Sequence, residues 1–244
     1  MQYRQFRLNY FAVKGMEARL ALYIGDRATA YKDAMAVINA KVNGEPFMEL
    51  AGTKDLGVSL NGSTVSYGTL PDECIFALSN RKLSTYAFSL LGGGDVLSDE
   101  NSMLHITTNM LDKQLYNGHN TTSDNRYLYW WNHDSHNVGS IKIPALKKYY
   151  YNTADYTSAS SYSTLLFKIQ LMPMMRLSEL YLIAMESTDD LAEANSLYTT
   201  YMASHNVNAQ NAFTSLDAVK TELEYEYTRE FYGEGQTFYA YKRW

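Results

Sequence analysis

Between residues 5 and 40 the chain carries one periodic pattern that is broken once. In 5–24, Leu8, Phe11, Ala12, Gly15, Ala18 and Leu22 fall at spacings of three and four, the period of one face of a helix. Gly25-Asp26 interrupts the run. Glycine suits the turn that closes a helix, and an aspartate side chain caps the next one. Residues 27–40 then place Ala30, Tyr31, Ala34, Val37 and Ile38 on one face. Small side chains on facing surfaces let two helices approach closely. The spacing predicts an αα-hairpin over 1–40.

A second hairpin is expected near the other end. Pro173 fits the first turn of a helix reaching about Glu186, with Leu177, Leu180, Tyr181 and Ala184 as its apolar stripe. Thr188-Asp189-Asp190 makes the turn, and Leu191, Ala194, Leu197, Tyr198 and Tyr201 point inward on the next helix. The turns GDRATA (25–30) and DDLAEA (189–194) match loosely, as tetratricopeptide-like (TPR-like) units would. A third pattern over roughly 214–232 carries Leu216, Val219, Leu223, Tyr227 and Phe231.

Residues 41–170 differ. Val65, Tyr67 and Cys74–Leu78 suggest short strands, and Gly92-Gly93-Gly94 and Asn117-Gly118 mark turns. The fold class expected is mainly α: TPR-like hairpins with a long loop-rich insertion containing a few short strands. It reads as a single domain over 1–244, with a hairpin at 1–40, an insertion at 41–170, and a second hairpin and closing helix at 171–244.

Composition narrows the function classes. Hydrophobic residues make up 46% of the 244, enough for a large core. A net charge of −5 argues against nucleic acid as a partner, which needs a clustered basic surface. The sole cysteine, Cys74, rules out an internal disulfide and reads as a buried strand residue. MQYRQFRLNY is not a signal peptide, and no apolar run is long enough to span a membrane. Tyrosine is abundant, 22 against 9 phenylalanines, and such rings pack like apolar groups while offering a hydroxyl to polar ligands.

Catalytic patterns are weak. Glu222, Glu226 and Glu230 recur every four residues, with Glu234 extending the register. Paired carboxylates serve glycoside hydrolysis only when they flank a bound sugar, and a solvated or Arg-paired helix face explains the spacing more simply. His133 and His136 flank Asp134 with no further clustered ligand nearby, so no metal is expected. GGGD at 92–95 lacks the Lys-Ser/Thr of a phosphate loop and reads as a turn. No cofactor is implied.

The most suggestive stretch is NRYLYWWNHD, 125–134. Aromatic faces stack on sugar rings while amides and carboxylates take the hydroxyls. Candidate ligand contacts are Tyr127, Tyr129, Trp130, Trp131, Asn132 and Asp134. As an extended strand the segment would put Tyr127, Tyr129 and Trp131 on one side. The same rings could instead bury against the scaffold. Tyr149-Tyr150-Tyr151 and Tyr156 form a second aromatic patch with the same two readings.

Four ordered motifs carry a resemblance. RLNYFAVKGMEARLALYIGD (7–26), DECIFAL (72–78), MPMMRLSELYLIAME (172–186) with Arg176, Glu179 and Glu186, and REFYGEGQTFYAYKRW (229–244) with Glu230, Glu234, Gly235, Arg243 and Trp244 resemble the SusD/RagB family. Thr237 and Ala240 depart from the family's usual Arg and Asp. The family is about twice this length, so its secretion signal, lipid-attachment cysteine and first TPR pairs would precede Met1, and a closing segment would follow Trp244. The resemblance implies a non-catalytic lipoprotein on the outer surface of a Bacteroidetes-type cell. Such a protein captures glycans, or in some members peptides, for a TonB-dependent SusC-like transporter. Membrane contact would come only through a lipid anchor absent from this chain. Arg176, Glu179, Glu230 and Arg243 are assigned to structural pairing. A helical scaffold that only docks proteins, and a glycosidase, stay open as other classes.

Overall fold

The computed structural model describes residues 4–60, 63–92, 104–138, 141–150, 168–208 and 211–244. The chain divides into two units: 1–51, 72–77 and 173–244 form one, and 52–71 with 78–172 form the other.

The first unit is built on helices. Asn9 opens α1 (Tyr10–Tyr23), its side chain accepting from the Ala12 N–H and donating to the Ile75 carbonyl at 3.0 Å. Gly25 takes a positive φ of 84°, and Asp26 caps α2 (Arg27–Ile38) by accepting from the Thr29 N–H. The two helices pack through Ala12, Ala18, Ala30 and Ala34, all fully buried. Gly15 has the same logic: a Cβ there would stand 3.1 Å from the Met175 side chain. The predicted stripe is too wide at its edges. Leu8 is exposed, and Tyr31 and Ile38 are half-buried. Asp33 is buried instead, held by Lys14 at 3.1 Å.

A small hairpin follows, β1 (Lys41–Val42) with β2 (Glu45–Pro46). Its Asn43-Gly44 turn has positive φ at both residues, the geometry that suits a tight hairpin.

The second helix pair is α7 (Leu177–Ser187) and α8 (Leu191–Ser204). Asp190 caps α8, accepting from the N–H groups of Ala192 and Glu193. Both α1 and α2 pack on α7, whose Leu177, Leu180, Leu182, Ile183, Ala184 and Met185 are buried. Then α9 (Leu216–Phe231), capped by Ser215, buries Val219, Leu223, Tyr227 and Phe231, and α10 (Thr237–Tyr241) ends the order.

Pro173 corrects one expectation. It does not start a helix but lies in β8 (Leu171–Arg176), which pairs with β5 (Cys74–Ser79) in a two-stranded sheet. Such a sheet has only edge strands, where a residue without an N–H is tolerated. The helix begins four residues later, after Arg176 in extended backbone. Cys74 is a buried thiol in β5, as expected.

The second unit mixes short helices with hairpins. Its elements are α3 (Gly52–Asp55), β3 (Val58–Leu60) antiparallel to β4 (Ser63–Val65), and α4 (Leu83–Leu91). After them come α5 (Thr108–Met110), running into a π turn at Leu111–Leu115, and α6 (Asn125–Trp130). The strand β6 (Trp131–Val138) then pairs antiparallel with β7 (Ile141–Leu146). Gly92 closes α4 with a φ of 75°, while the rest of GGGD lies outside the described residues. Among the described residues no helix is long and apolar enough to cross a membrane.

Candidate functional site

The segment that carries the predicted ligand contacts starts at Asp124. Its carboxylate accepts from the Arg126 N–H at 2.7 Å and from Arg126 Nη2 at 2.8 Å, and stands 2.6 Å from His119 Nε2. Asp124 and Arg126 are fully buried. A capping carboxylate makes the next residues helical, so 125–130 form α6 and not the extended strand expected. The alternation that put Tyr127, Tyr129 and Trp131 on one side is lost, and β6 begins only at Trp131.

Tyr127 is half-buried. Its hydroxyl donates to Asp112 Oδ1 at 2.8 Å. Its ring lies tilted on His133 with centroids 4.3 Å apart, and meets the edge of Tyr116 at 5.0 Å. His133 Nε2 is 2.9 Å from the Tyr127 carbonyl oxygen, which occupies that nitrogen as a donor. Burial, then the hydrogen bond to Asp112, pushes the Tyr127 phenol up to about 12.

Tyr129 is also half-buried and lies against the backbone of Gly57. A Cβ at Gly57 would come within 2.5 Å of Tyr129 Cζ, and the residue's φ is +70°. Only glycine meets both conditions without strain.

Trp130 is 0% exposed, with Lys148 Nζ 3.9 Å from its ring centroid. Trp131 is 4% exposed and sits opposite Leu146, while the half-buried Asn132 sits opposite Ala145. The two tryptophans therefore underlie the segment, and Tyr127, Tyr129, Asn132 and His133 keep partial access to solvent. The side chains of Asp134 and His136, and all of Tyr151 and Tyr156, lie outside the described residues. Tyr149 is buried, and Tyr150 lies 6.0 Å from Phe88.

The charged motif residues gather in the first unit. Arg176, 1% exposed, donates to Glu73 and Glu234 at 2.7 Å each, to Glu230, and to the Glu230 carbonyl at 3.2 Å. Burial works to lower the guanidinium's pKa, but Glu234, Glu230 and Glu73 overturn it and hold it well above its ordinary value. Tyr201 reaches Glu230 at 2.9 Å and Glu226 at 3.2 Å. Arg229 binds Glu222 at 2.8 Å and also Glu226. Glu226 and Glu230 are fully buried, so the four-residue glutamate spacing is Arg-paired but not solvated there.

Glu179 receives a bidentate pair from Arg19, both bonds 2.6 Å. Glu186 receives another from Arg243 at 2.9 and 2.8 Å, with Trp244 Nε1 3.3 Å away. Gly235 takes a φ of 76° in the turn before α10. The sequence named most of these groups but not Glu73, whose role rests on a partner far along the chain.

No family model matches the chain, and no curated protein matches it. Solved structures do. A SusD superfamily protein from Bacteroides thetaiotaomicron superposes with a TM-score of 0.66 at 17% identity, covering 98% of this chain and 50% of that one. A SusD-like carbohydrate binding protein from Bacteroides vulgatus gives 0.63 at 15%, covering 100% and 47%. A laminarin binding SusD-like protein gives 0.56 at 18%, covering 100% and 56%. The chain has a SusD-like fold and spans about half the length of these structures.

Proposed function

We propose that the chain belongs to a protein that binds glycans without cleaving them. On this reading it acts at the outer surface of the cell, held by a lipid anchor outside these residues, and passes its ligand to a SusC-like TonB-dependent transporter. The observation that carries the reading is the SusD-like fold, shared with solved proteins described as carbohydrate binding and laminarin binding.

The ligand contacts are assigned to the segment after Asp124. Tyr129, braced by Gly57, offers a ring that cannot retreat into the backbone behind it. Tyr127 and Asn132, both half-buried, add polar groups on the same segment, and Asp134 follows on β6. Trp130 and Trp131 support these contacts from beneath. A braced ring and hydrogen-bonding groups on one short segment suit a sugar, whose C–H face stacks while its hydroxyls are bonded.

Calorimetry against laminarin oligosaccharides, a panel of other glycans and a panel of peptides tests the reading. A glycan that binds and is not hydrolysed is the expected result. Tyr129→Ala should then lose about tenfold in affinity, the order of one aromatic contact. Binding of peptides alone, or glycan affinity untouched by Tyr129→Ala and Asn132→Ala together, would remove the assignment.

A further inference from the structure

The turn between α7 and α8 and the first turn of α2 border an open cleft of about 590 Å³, within the range of about 300–1,000 Å³ usual for small-molecule sites. It lies wholly in the helical unit. Arg27 joins its two sides. Its Nη2 donates to the Thr188 carbonyl at 3.1 Å and stands 3.1 Å from Asp189 Oδ1. That leaves Nε and Nη1 of Arg27, and the second oxygen of Asp189, without a partner among the described residues. The two side chains are 51% and 88% exposed. Tyr31 lines the same cleft. Burial, then a hydrogen bond to Glu193, pushes its phenol up to about 12, and that bond holds the ring in place. Ser187 lines the cleft too, yet it is only 4% exposed, and its Oγ has no hydrogen-bond partner among the described residues. Buried hydroxyls are nearly always bonded, so this one marks a contact that the described residues do not supply.

We propose that this cleft binds a neutral sugar, with neighbouring hydroxyls shared between Arg27 and Asp189 and a C–H face against Tyr31. The other acids nearby are already engaged. Asp190 accepts from the first N–H groups of α8, and Glu193 holds the Tyr31 hydroxyl. The groups left open are one cation, one anion and the Ser187 hydroxyl. A sugar hydroxyl both donates and accepts, so a pair of them on adjacent carbons can satisfy a guanidinium and a carboxylate together. Hydrogen bonds to such charged groups are the strong ones. An ionic ligand would instead meet a group of its own sign, Arg27 for a cation and Asp189 for an anion. The tyrosine ring adds an apolar surface that suits the C–H face. The site does not depend on the assignment of Tyr129 and its neighbours.

Two-dimensional NMR of the 244-residue chain, titrated with the methyl glycosides of glucose, galactose, mannose and xylose in the millimolar range, tests the site. At least one of them should shift the amide signals of Ala28, Thr188 and Asp189. Reading the signals at the cleft itself separates this site from sugar bound at 124–134. Asp189→Ala, at a mostly exposed side chain, should raise the dissociation constant about tenfold, the order of one hydrogen bond to a charged group. Ser187→Ala should weaken binding about threefold without lowering the urea midpoint, since its hydroxyl has no bond to lose. Glucosamine and glucuronate should bind more weakly than the neutral sugar. No shift at these amides with any of the four glycosides, an affinity unchanged in both variants, or tighter binding of either charged sugar would each overturn the proposal.

Discussion

The guanidinium of Arg176 and the carboxylate of Glu73 meet at 2.7 Å across 103 residues of chain. Glu230 and Glu234 complete the ring of acids around the same cation. One positive charge thus keeps three carboxylates, each 5% exposed or less, out of water. Arg176→Met should destabilise the fold by about 3–5 kcal/mol, because the acids lose the charge that offsets their burial. Urea unfolding checks this. Glu234→Gln, which leaves the other two acids paired, should cost clearly less.

Gly57→Ala should also be costly. The new Cβ would meet the Tyr129 ring while the backbone holds a left-handed φ, and such strain costs on the order of 1–3 kcal/mol. Thermal melts would register the loss. Gly118→Ala is the control, since it shares the positive φ but its Cβ would meet nothing within 4 Å.

Tyr127 gives a prediction in alkaline solution. Its folded pKa of about 12 lies above the ordinary value of 10.0. The folded state therefore holds the phenolic proton more tightly than the unfolded chain does. This contribution is fully present below pH 10 and fades as pH rises toward 12. In Tyr127→Phe, stability should fall less steeply over that window. Denaturant titrations at stepped pH would show the difference in slope.

Asp190 caps α8 through the Ala192 and Glu193 N–H groups. Asp190→Ala should cost about 1 kcal/mol, the usual loss when a capping side chain is removed. Asp190→Asn should recover most of it, since the amide oxygen can still accept. Chemical denaturation of the three proteins side by side decides.

The hairpins were legible because their signals are local. Gly25 and Asp26 sit beside the turn they make, and the alanines repeat at helical spacing on both helices. Pro173 misled because the same fixed φ suits a helix's first turn and an edge strand. The strand partner that decides between them, β5, lies nearly a hundred residues earlier. The segment 125–130 departs from the strand its aromatics suggest for a related reason. Alternating aromatics suggested a strand, and the single carboxylate before them outweighed the pattern. Burial of Glu226 and Glu230 had no sequence signature at all. A glutamate every fourth residue looks the same on a wet helix, and only Tyr201, Arg229 and Arg176 distinguish the two.

The interrupted path of the helical unit has a consequence for biosynthesis. The α1–α2 hairpin is complete at Ile38, yet α7, the helix both of its members pack on, starts at Leu177. Ribosomes add about 5–20 residues per second, so the nascent hairpin waits on the order of ten seconds with the surface that meets α7 uncovered. The helical frame therefore closes only after Leu177–Ser187 has been synthesised.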